Sequence, residues 1–203
     1  MSDSDFVPDQ LQIITYPHPT LRYVAKSIKR VDPLLKQIGE RMIELMYEHK
    51  GVGLAATQVG LPLRMFVWNP AGKPDEGTAS VFINPMLSRP RSNEEAEEGC
   101  LSLPGINANV IRAKTVRLHA YDIHGREIDT DFSGWEARIL QHETDHLDGV
   151  LFIDRLSPER VRELEKSLQV LETDYRSRQR LGSLPGPGSI EQDVARWENR
   201  YAT

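Results

Sequence analysis

The 203 residues carry 25 Lys and Arg against 30 Asp and Glu, a net charge of −5, which argues against nucleic-acid binding through the whole surface. A hydrophobic share of 39% suffices for one ordinary core with an appendage. There is no basic-then-apolar leader, no apolar run of membrane-spanning length and only one cysteine, so a reducing, cytoplasmic setting without an internal disulfide is expected.

The first strong element begins at Asp32-Pro33, an N-cap followed by proline in the first turn. Leu35, Ile38, Met42, Leu45, Met46 and His49 then recur at helical spacing until Gly51 ends the run. Short strands are predicted over residues 64–68, 80–85 and 110–121, where Val116, Leu118 and Ala120 alternate with polar residues. Residues 69–78 read as a Gly- and Pro-rich loop, and residues 122–126 as a hairpin turn. Ser133 and Glu136 form a capping-box pair ahead of a second helix, which runs through Ile139, His142, His146 and Leu147 to Gly149. A third helix starts near Pro158 and carries Val161, Leu164, Leu168, Leu171 and Tyr175 on one face. Residues 182–188 (GSLPGPG) make a break, and a last short helix is expected from Ser189, with Gln192 completing another capping box. Strands in mid-chain with helices toward the ends predict an α+β fold.

The chemistry is concentrated in three segments. In QHETDHLDG, residues 141–149, His142 and His146 lie four apart on a helix and so on nearly the same face. Two imidazoles at that spacing can grip one divalent metal, with Glu143 close enough to reach a water on it. A catalytic metal also needs a third protein ligand and an open position. Downstream there is no histidine, and Glu159, Glu163 and Glu165 sit among Arg160, Arg162 and Lys166 on an apparent surface helix. Upstream stands Cys100 in EGCLS, whose thiolate would suit zinc or iron. The third segment, GVGLAATQ, residues 51–58, pairs glycines that let backbone approach a ligand with Gln58, whose amide could polarise a carbonyl oxygen. Alone, this third signal is equally a glycine-rich helix end.

Together, in this order and spacing, the three segments resemble the signature motifs of peptide deformylases. The resemblance extends from Tyr16-Pro17 and Leu21-Arg22 through LFIDRL at residues 151–156. It implies antiparallel sheets packed around a central metal-binding helix. It also implies removal of the formyl group from formylmethionine on new polypeptides, by attack of a metal-bound hydroxide. Cys100, His142 and His146 would hold one divalent metal, Fe²⁺ in the cell, with Zn²⁺, Ni²⁺ or Co²⁺ able to bind. Glu143 would be general base and acid, and Gln58 with the backbone N–H of Leu101 would bind the formyl oxygen. The peptide would lie extended beside Gly53 and residues 97–99, including Glu98 and Gly99. Val52, Ala96, Trp135, Arg138 and Ile139 fall at the methionine pocket by position, although Trp135 and Arg138 are unusual walls for it. His18, His49, His119 and His124 lack a partner pattern and read as structural or solvated.

The expected organisation is a catalytic domain over residues 1–156 and a helical extension over 157–203. The extension balances eight Lys and Arg against eight Asp and Glu, which argues against strong attraction to RNA. Formylmethionyl nascent peptides are the implied partner, with at most transient ribosome contact and no DNA or membrane. The stripe of Ile190, Val194, Trp197 and Tyr201 should fold onto the body or onto a second subunit as a homodimer. Two rivals remain at this point: an H-E-x-x-H endopeptidase using a downstream Glu, and an inactive relative that binds nascent chains or ribosomes.

Overall fold

The computed structural model describes residues 7–202. One antiparallel sheet has the order β1-β2-β3-β4-β5, comprising Gly53–Ala55, Met65–Trp68, Ser80–Cys100, Leu103–Tyr121 and Glu127–Ser133. Four helices accompany it: α1 Pro33–Glu48, α2 Gly134–Leu147, α3 Pro158–Arg180 and α4 Pro187–Tyr201. This is an α+β fold with α2 laid against the sheet at its centre. Ala137, Ile139, Leu140 and Leu147 of α2 pack on Phe66, Trp68, Phe82, Val116, Leu118 and Ala120.

The first helix forms as its sequence dictates. Asp32 Oδ1 accepts the Leu35 N–H at 2.9 Å, and Leu35, Ile38, Met42, Leu45 and Met46 are buried. Strands β3 and β4 are much longer than the predicted runs. They pair from Ile83↔Tyr121 to Cys100↔Leu103, with register shifts at three points. Residues 88–97 point polar groups to both faces of this ribbon, so no apolar alternation marks them as strand. Strands β1 and β5 are also present beyond the predicted set.

Two expected caps differ. Ser133 precedes α2 but makes no side-chain cap bond, because it is still paired with Thr115 as the last residue of β5. Helix α4 begins at Pro187, two residues before Ser189, with Gly186 as an N-cap that makes no side-chain bond. Proline's fixed φ suits that first turn. Of the α3 stripe, Leu168 and Tyr175 are buried and Leu164 and Leu171 half-buried, while Val161 is exposed.

Helix α4 folds onto the body. Trp197 and Tyr201 join the core around α1, and Tyr201 Oη donates to Asp32 Oδ1 at 2.8 Å while Arg200 Nη2 donates to Oδ2 at 3.0 Å. The extension thus clasps the residue that caps α1. Among the described residues no helix is long and apolar enough to cross a membrane.

Candidate metal centre and groove

Helix α2 presents His142 and His146 one turn apart, their rings 5.0 Å centre to centre. The register of β3 brings Cys100 to them from more than 40 residues upstream, with Sγ 3.2 Å from His146 Nε2. One donor atom from each of Cys100, His142 and His146 lies within 4.8 Å of the others, the one such cluster of metal-ligating side chains among the described residues. A thiolate and two imidazoles are the donor set of zinc and of iron-group ions.

The electrostatics fit a cation. Burial alone would lower His142, but Cys100 and Glu98 beside it outweigh that and push its imidazole up to about 10. Burial, with His142 as neighbour, holds His146 well below the usual histidine range. Glu98 Oε2 lies 3.0 Å from His142 Nδ1, so the other ring nitrogen is left for a metal. Burial would raise the Glu98 carboxyl, yet Arg112 and His142 hold it well below the carboxylate range.

Glu143, between the two histidines in sequence, is buried, and its Oε2 has no hydrogen-bond partner. Burial raises its carboxyl to about 7. Gly53 is what admits it: a Cβ there would stand 2.7 Å from Glu143 Cδ. Gly99 plays the same part for Asn107, whose Oδ1 a Cβ would strike. Gln58 Oε1 accepts the Ala55 N–H at 2.8 Å, which turns Nε2 to donate to Ser102 Oγ at 3.2 Å and to face Cys100 Sγ at 3.5 Å.

Gln58, Glu98, Cys100, His142 and Glu143 line a groove of about 560 Å³. Its walls include Val52, Gly53, Gly99, Leu101, Trp135 and Ile139. Trp135 stands half-exposed at the mouth, its Nε1 donating to the Pro70 carbonyl at 3.1 Å and so tying the 69–78 loop to α2. Ala96 is not among the walls; Arg138 is, with its buried guanidinium donating to Glu98 at 2.7 Å. The groove runs between two strand edges, since β1 pairs only with β2, and β3 beyond residue 83 pairs only with β4. The Glu98 carboxylate is engaged by Arg112, Arg138 and His142.

The motifs do not by themselves mark every residue that supports the site. Arg112 is buried, with Nε and Nη2 each donating to Glu98 at 2.8 Å and Nη1 to Asp145, which Arg155 also binds. Its signal lies in the alternation of β4, where it shares the inward parity of Val110, Val116 and Leu118; an inward charge requires a buried partner. Ser102 is buried beneath Gln58. Asp148, by contrast, makes a surface pair with Arg64 at 2.7 Å.

Comparison with known proteins places the chain in a family. The sequence profile of the family described as Polypeptide deformylase matches residues 10–162. The peptide deformylase of Rhodopirellula baltica is 51% identical over 191 residues, covering 94% of this chain and 95% of that one. The crystal structure of Arabidopsis thaliana peptide deformylase 1B with an inhibitor superposes with a TM-score of 0.80 at 41% identity, covering 87% of this chain and 97% of that one. A peptide deformylase from Plasmodium falciparum gives 0.79 at 38% identity, covering 82% and 98%. With a profile that spans every signature segment and relatives alike over nearly their whole length, the chain belongs to the polypeptide deformylase family.

Proposed function

We infer that this chain is a metal-dependent hydrolase that removes the N-formyl group from the formylmethionine beginning newly made polypeptides. The observation that carries this reading is the meeting of Cys100, His142 and His146 donors beside the unpartnered carboxylate oxygen of Glu143. Family membership favours it over an H-E-x-x-H endopeptidase. Of the downstream glutamates that could serve as a ligand in that rival, Glu163 and Glu159 instead pair with Arg160 and Arg162 on exposed α3. An intact Glu143, Gln58 and Cys100 set also speaks against an inactive binding relative.

A divalent metal held by Cys100, His142 and His146 would supply Lewis acidity and a water with pKa lowered towards ~7. The remaining work belongs to the chain. Glu143 takes the proton of the attacking water and returns it to the leaving amine. Gln58 Nε2, aimed by the Ala55 N–H, and the backbone N–H of Leu101 donate to the formyl oxygen as negative charge develops on it. The peptide lies extended between β1 at Gly53 and β3 at Glu98 and Gly99, adding a strand to open edges. Val52, Ile139 and Trp135 bound its methionine side chain. The metal we assign in the cell is Fe²⁺, as the family resemblance implies; the thiolate and imidazole set accommodates it as it would Zn²⁺, Ni²⁺ or Co²⁺. We assign residues 1–156 as the catalytic domain and 157–203 as a helical extension, in a protein of the cytoplasm.

The test is formate release from formyl-Met-Ala-Ser by the iron-loaded chain. Turnover that disappears on chelation and returns with Fe²⁺ supports the reading. Cleavage of internal peptide bonds without formate release would overturn it.

A further inference from the structure

Arg138 stands one helical turn before His142 on α2, with its side chain only 6% exposed. It lines the groove, and its guanidinium is engaged by three polar partners. Nη1 donates to Glu98 Oε1 at 2.7 Å and to the Val110 carbonyl at 2.9 Å, and Nη2 donates to the Glu94 carbonyl at 2.7 Å. One side chain therefore joins α2 to β3 and to β4. Glu98 receives Arg112 on the other side, Nε on Oε1 and Nη2 on Oε2, both at 2.8 Å. With two planar guanidinium groups on it, the carboxylate has one orientation. In that orientation Oε2 meets His142 Nδ1.

We propose that Arg138 is a positioning residue for the metal centre. It locks the Glu98 carboxylate so that Oε2 holds His142 in the tautomer and ring orientation that turn Nε2 toward Cys100 and His146. Through the Glu94 carbonyl of β3 and the Val110 carbonyl of β4 it also ties α2 to both strands of the ribbon. Arg112 alone would leave the carboxylate free to tilt about its bidentate contact; Arg138 supplies the second axis. Outer partners of ligating histidines typically alter metal affinity 10–100-fold. The inference rests on the metal assignment above.

The experiment uses the full-length chain loaded with cobalt(II), whose visible absorption reports thiolate and imidazole ligation. Transfer of cobalt to a chelator gives relative affinity. Arg138→Met keeps the stem and removes the donors. It is expected to weaken retention by roughly 10–100-fold and to shift the cobalt spectrum, with folding checked by circular dichroism. Arg138→Lys, with a charge and fewer donors, should fall between. In a Glu98→Gln background, adding Arg138→Met should change retention less than about threefold, because both act through one carboxylate. Retention within about threefold of wild type in Arg138→Met, with an unchanged spectrum, would overturn the proposal. If that variant does not fold, wild-type retention in Arg138→Lys overturns it equally. A wild-type chain that binds no cobalt would instead overturn the metal assignment itself, and this inference with it.

Discussion

The same residue types do different physical work beneath the groove and along α3. Arg112, Glu98, Arg138 and Asp145 are buried and bonded to one another across three elements. On α3, Arg160–Glu163, Arg162–Glu159 and Arg176–Glu172 pair at helical spacing in solvent. Exposed helical pairs contribute only about 0.3–0.5 kcal/mol each. Breaking a buried pair costs about 3–5 kcal/mol because it strands a charge. The first set braces α2 against β3 and β4; the second stays within one helix, in water.

The sharpest contrast comes from the ligands themselves. Cys100→Ala and His146→Ala are expected to lose nearly all metal and with it turnover, read by metal analysis of purified protein. Full occupancy in the cysteine variant would remove Cys100 from the site. Glu143→Ala should keep its metal and lose about 10²–10⁴ in kcat; wild-type rates with metal in place would strike Glu143 from the mechanism. Gln58→Leu should lower kcat by roughly 10²–10³. A change confined to KM would make Gln58 a binding group only.

Outside the site, activity should separate from stability. A chain ending at Gly182 loses Trp197 and Tyr201 from the α1 core and both α4 bonds to Asp32. Its turnover is expected within about tenfold of full length, while its melting temperature falls by roughly 10 °C. Abolished turnover with metal retained would make α4 part of the active site. The smallest effect belongs to Glu163→Gln, which should change unfolding free energy by less than about 0.5 kcal/mol and leave kcat unaltered. A loss of several-fold in kcat would show that the α3 surface reaches the peptide.

How legible each part was depends on how local its cause is. Helix α1 was readable because Asp32, Pro33 and an apolar face five residues strong all lie within one segment. The ribbon of β3 and β4 was cut short because residues 88–97 carry charges on both faces, and its pairing is fixed by a partner strand, not by periodicity. The helical position of Arg138 puts it on the groove, as the structure shows, but its partners Glu98, Val110 and Glu94 lie on β3 and β4 and no spacing announces them.

The amino-acid sequence by itself determined the two histidines and Glu143, because a single helical turn sets their geometry, and its motif order pointed to the family. It also contained Cys100, but a thiol becomes a ligand only when the register of β3 carries it to α2. Tertiary structure alone decided that Gly53 must lack a side chain so that Glu143 fits, and that α4 closes on the cap of α1. It alone decided that Arg112 and Arg138 share one buried carboxylate. Those are contacts between segments far apart in the chain, and a buried charge finds its partner in space, where sequence spacing carries no information.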